Sequence, residues 1–99
     1  MALVKACKKS DIKEGTGKIV LLEGKPIAIF NVNGKFCAID NECAHQGGPL
    51  GEGYLEGFTV TCPWHGWDYD VSTGISPTFG ANVKIYKTEV KDDDVFVDV

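Results

Sequence analysis

Apolar positions along this chain fall into short clustered runs with turn residues between them. In KIVLLEGKPIAIFNVNGKFCAID the runs are 18–22, 27–32 and 35–40, separated by Glu23-Gly24 and Asn33-Gly34. Asn-Gly is the strongest short hairpin signal because both residues tolerate positive φ, so the stretch predicts an antiparallel meander of three strands. Further runs at 58–61, 67–71, 83–90 and 95–99 predict four more strands, and 3–8 predicts one at the start. Helix signals are nearly absent, and the pattern implies an all-β fold.

Two stretches break the strand pattern. NECAHQGGPLGEGYLEG holds five glycines and a proline in 17 residues and reads as a loop. TCPWHGWDYDVSTG is a second Gly and Pro loop, entered from one strand and left into another. Loops this rich in glycine bury little apolar surface, so something other than burial must fix them. Each carries one cysteine and one histidine: Cys43 with His45, and Cys62 with His65.

The chain of 99 residues has only these two histidines. Two thiolates and two imidazoles make a four-ligand metal site, and Gly48, Pro49, Pro63 and Gly66 allow the tight turns that aim neighbouring ligands at one centre. Tetrahedral zinc accepts two Cys and two His, but usually with like ligands paired and one pair on a helix. Here each loop is mixed. A [2Fe–2S] cluster with two cysteines on one iron and two histidines on the other suits that interleaving.

C-x-H, a Gly and Pro loop, then C-P-x-H-G resembles the Rieske motif, and the likeness continues through Trp67-Asp68-Tyr69-Asp70 over essentially the whole chain. The resemblance implies a Rieske fold: an antiparallel β-sandwich in one domain, 1–99, with cluster-binding loops at 43–67 inserted in a base of 1–42 and 68–99. It implies that Cys43 and Cys62 bind the inner iron, and His45 and His65 the outer one. Pro77 in SPTFG resembles the proline of a loop that covers the cluster from a third side. Trp64, between two ligands at a loop tip, is a candidate for packing over the cluster or docking a partner.

Two departures from the quinol-oxidising type inform the chemistry. That type carries an extra cysteine in each loop and joins them by a disulfide; the corresponding residues here are Gly48 and Trp64. It also has a serine that donates a hydrogen bond to a cluster sulfide, where this chain has Trp67, while Tyr69 matches a tyrosine that reaches a ligand sulfur. With one such bond kept, the expected potential lies in the lower part of the Rieske range of about −150 to +300 mV.

Charge narrows the function further. Net charge is −4 with no arginine, which argues against nucleic acid. Residues 36–83 hold six acids and no lysine, so the end bearing the loops should be acidic and meet basic partner surfaces. No apolar run is long enough to span a bilayer, the start lacks the apolar centre of a signal peptide, and the missing arginine excludes a twin-arginine signal. A cytoplasmic monomer is expected, with Cys7 and Cys37 as strand residues outside the loops.

No histidine remains for a mononuclear iron and no G-x-G-x-x-G for a nucleotide, so the chain is expected to be an electron carrier and not an enzyme. The resemblance implies a Rieske ferredoxin between an NAD(P)H-dependent flavin reductase and a terminal oxygenase, with an aromatic-ring-hydroxylating dioxygenase as the expected acceptor. The alternatives are the small Rieske subunit of an assimilatory nitrite reductase, or a structural zinc module without redox role.

Overall fold

At Glu23-Gly24 and at Asn33-Gly34 both residues take positive φ, 52° and 77° in the first pair, 53° and 91° in the second. This two-residue turn matches the twist of the strands it joins. The turns connect β2 (Thr16–Leu22), β3 (Lys25–Val32) and β4 (Lys35–Asp40) into the expected meander. The computed structural model describes residues 3–43, 48–64, 66–78 and 80–99.

β8 (Ile85–Tyr86) completes that sheet, in the order β2-β3-β4-β8. β1 (Leu3–Lys8), β10 (Asp94–Asp98) and β9 (Thr88–Lys91) form a second sheet in the order β1-β10-β9. A third has β5 (Tyr54–Glu56), β6 (Thr59–Thr61) and β7 (Asp68–Asp70) in chain order. Among the described residues every strand pair is antiparallel. The all-β expectation is borne out; among the described residues the helical structure is two 3-10 turns, Lys9–Asp11 and Leu50–Glu52.

Two strand expectations change. The run 83–90 is two strands, because the chain leaves the central sheet after Tyr86 and joins the β1-β10-β9 sheet at Thr88. The Lys87 carbonyl at the crossing accepts the Asp98 N–H, and the Thr88 hydroxyl donates to the Phe36 carbonyl at 2.7 Å. β5 lies inside the stretch read as loop: Leu55 turns inward onto the core while its neighbours stay exposed.

The central sheet is buried on both faces. Ile27, Ile29, Phe36 and Ala38 point to one side and meet Cys7, Val95 and Val97 of the second sheet and Ile12, just after the Lys9–Asp11 turn. Ala28, Phe30, Val32, Cys37 and Ile39 point to the other and meet Leu50, Val60, Tyr69 and Val71. Alternation along β3 and β4 thus divides their side chains between two cores, which explains why both strands read as continuous apolar runs. Each fully buried Ile or Phe contributes about 1.5–3 kcal/mol. Asn31 is the polar exception, satisfied by donating to the Ile12 carbonyl and accepting the Gly34 N–H, both at 2.8 Å.

Candidate metal centre

β4 ends at Asp40, whose carboxylate accepts the Tyr86 hydroxyl at 2.6 Å. Burial and this bond push the Tyr86 phenol up to about 12. The next residue, Asn41, is buried and uses its side-chain oxygen to accept the Gly51 N–H, while its carbonyl accepts the Leu50 N–H. These bonds close the base of the first loop. Inside it the Cys43 N–H donates to the Gly48 carbonyl at 2.9 Å.

The second loop repeats the device. The Cys62 N–H donates to the Trp67 carbonyl at 2.6 Å, and the Gly66 N–H returns to the Cys62 carbonyl at 3.1 Å. Each cysteine therefore begins its loop with its backbone fixed by a carbonyl on the far side.

Gly48 brings the loops together. It holds Cys43 through its carbonyl, and a Cβ at this position would stand 2.6 Å from the Cys62 sulfur and 3.1 Å from Cγ of Trp64. Only a residue without a side chain leaves that sulfur its place. The same geometry makes positions 48 and 64 neighbours, the two at which the quinol-oxidising type has its extra cysteines.

Both sulfurs are buried, with Cys43 at 4% and Cys62 at 3% exposure, in the core that contains Leu50, Val60 and Tyr69. The Tyr69 hydroxyl lies 3.3 Å from the Cys43 sulfur. Two soft donors in a cradle that a methyl group would fill, with a phenol against one of them, fit an iron–sulfur group chemically. His45 and His65 lie outside the described residues. Trp64 is 56% exposed, whereas Trp67 is half-buried against the same core as the two cysteines. Pro77 is exposed, and Ala81, shortly after it, packs on that core.

The six acids divide into two kinds. Glu42, Glu52 and Glu56 are exposed. Asp40, Asp68 and Asp70 are half-buried and accept hydrogen bonds from Tyr86, from Ser76 and Thr78, and from Ser72. The sequence indicated the charge but not this division, nor the part of Asn41, because each depends on a partner remote in the chain or on how a loop closes. Cys7 and Cys37 are buried thiols on opposite sides of the central sheet, and burial raises both above the usual thiol range.

Residues 2–94 match the Rieske [2Fe-2S] domain family. The chain is 36% identical over 98 residues to the ferredoxin component of the naphthalene 1,2-dioxygenase system of Pseudomonas putida, covering 97% of this chain and 94% of that protein. A ferredoxin of Sphingomonas yanoikuyae B1 superposes with a TM-score of 0.91 at 30% identity, covering 99% of both chains. A chain from the complex of reduced oxygenase and oxidized ferredoxin in carbazole 1,9a-dioxygenase superposes with a TM-score of 0.88 at 34% identity, covering 96% of this chain and 91% of that one.

Proposed function

The chain belongs to the Rieske [2Fe-2S] domain family, and on that premise we propose that it carries single electrons from an NAD(P)H-dependent flavoprotein reductase to a terminal oxygenase that hydroxylates aromatic rings. The cofactor is a [2Fe–2S] cluster, which when bound takes up and releases one electron. Cys43 and Cys62 would hold it through sulfur, and His45 and His65 through imidazole nitrogen.

The observation that carries this reading is the pairing of two buried cysteine sulfurs, on separately closed loops, with an exposed tryptophan at the tip of one. Burial keeps water from the sulfurs. The backbone bonds at Cys43 and Cys62 fix the chain at both sulfurs. With Cys43 as thiolate, the Tyr69 hydroxyl is the donor of their contact and favours added negative charge there.

Trp64 offers a flat apolar contact surface, and the exposed Glu42, Glu52 and Glu56 add an acidic field that would draw a basic partner. No helix among the described residues is long and apolar enough to cross a membrane. A reducing, cytoplasmic setting suits Cys7 and Cys37, which remain thiols.

Rapid mixing of the reduced protein with an oxidised ring-hydroxylating oxygenase tests the proposal. Reoxidation of this protein's visible absorbance, matched by reduction of the oxygenase, is the expected result. Failure to transfer to such oxygenases, together with obligate co-purification with one large reductase, would favour the nitrite reductase subunit instead.

A further inference from the structure

Both carboxylate oxygens of Asp68 are engaged. Oδ1 accepts the Ser76 hydroxyl at 3.2 Å, and Oδ2 accepts the Thr78 hydroxyl at 2.9 Å. The two donors flank Pro77, so one side chain at the start of β7 grips that segment on either side of its proline.

The gripped segment is itself closed. The Ser76 N–H donates to the Ala81 carbonyl at 2.8 Å, and the Ser76 carbonyl accepts the Gly80 N–H at 3.0 Å. Ser76 is almost wholly buried, and Ala81 packs on the core that holds Cys43 and Cys62. On the other side of Asp68, its neighbour Trp67 supplies the carbonyl that fixes the Cys62 N–H. A single residue thus links the closure of the second cysteine loop to the Pro77 segment. Hydrogen bonds to an ionised carboxylate are roughly twice as strong as those between neutral groups, so the acid suits a latch better than an amide would.

We infer that Asp68 is a positioning residue that latches the Pro77 segment to the second cysteine loop and so keeps the cluster closed to solvent. The closure part depends on the reading that the Pro77 segment covers the cluster; the latch does not.

The test uses the holoprotein with Asp68→Asn, with Thr78→Val, whose side chain is exposed and whose loss should not prevent folding, and with both together. Three quantities are read: amide exchange at Ser76 and Gly80, the rate at which a chelator bleaches the visible absorbance, and the thermal midpoint. The expected result is exchange and bleaching each faster by about tenfold in Asp68→Asn, smaller increases in Thr78→Val, and a double variant no worse than Asp68→Asn. The thermal midpoint should stay within about 8 °C of the parent. Unchanged exchange in both single variants, or additive effects in the double variant, would overturn the latch. Faster exchange with unchanged bleaching would overturn the closure. A protein that holds no cluster would instead contradict the proposed function, and exchange would still decide the latch.

Discussion

The two faces of the central sheet come from the same strands and do different work. On the face toward β1, β9 and β10, Ile27 and Ile29 meet Val95 and Val97, and the layer is held by aliphatic burial. On the other face Phe30 and Ile39 meet a layer built from three-residue strands and two loops, in which Cys43, Cys62 and Tyr69 are part of the core. The first layer has what it needs in its side chains. The second depends on hydrogen bonds that close loops and, with Cys43 and Cys62 holding the cluster as proposed, on that cluster, so it should be the less stable one when the cluster is removed.

Cys62→Ser should have the largest effect. Visible absorbance is expected to disappear and amide protection around β5, β6 and β7 to fall, while protection in β3 and β10 persists. Equal loss in both layers, measured by hydrogen exchange, would mean that the faces are not separable. Ile29→Ala reverses the test, since its side chain belongs to the aliphatic face. It should cost about 2–5 kcal/mol in denaturant unfolding and leave the spectrum of the folded protein unchanged.

Tyr69→Phe keeps the ring in its core and removes the contact to the Cys43 sulfur. A midpoint potential lowered on the order of 60 mV, the equivalent of a factor of ten for a one-electron couple, is expected by potentiometric titration. An unchanged midpoint would remove the hydroxyl from the account of tuning.

Tyr86 provides the smallest effect and the link between the faces, since it is packed in the aliphatic core and bonded to the aspartate that leads into the first loop. In the folded chain it keeps its proton to about 12. Unfolded tyrosine loses it near pH 10, so this contribution is complete below about pH 10 and is lost as pH rises through about 12. The buried thiols of Cys7 and Cys37 shift in the same direction, so alkaline destabilisation should begin somewhat lower. Tyr86→Phe should cost about 1 kcal/mol at neutral pH and flatten the alkaline part of the stability profile, read by urea unfolding at several pH values.

Local chemistry made much of this legible beforehand. Asn33-Gly34 specified its hairpin because the turn's demand for positive φ is met by the two residues themselves. A related turn lies at Gly57-Phe58, where Gly57 has φ of 60° and turns β5 into β6, but a strand of three residues gives too short an alternation to stand out from a glycine-rich stretch. The change of sheet at Lys87 left no mark, because strand-forming residues stand on both sides of it, Ile85 and Tyr86 before and Thr88 and Val90 after. The cysteine spacing pointed to Cys43 and Cys62, which the structure buries in one core, while His45 and His65 lie outside the described residues. The grip of Asp68 on Ser76 and Thr78 could not be read, since it joins side chains eight and ten positions apart that only the folded loops bring together.

The most direct test of the central claim is the low-temperature EPR spectrum of the purified protein before and after reduction with dithionite. A two-cysteine, two-histidine [2Fe–2S] centre predicts a brown protein that is silent when oxidised and gives, when reduced, a rhombic signal with average g below that of an all-cysteine cluster. A colourless protein with one bound zinc, or a reduced signal with the average g of an all-cysteine cluster, would contradict it.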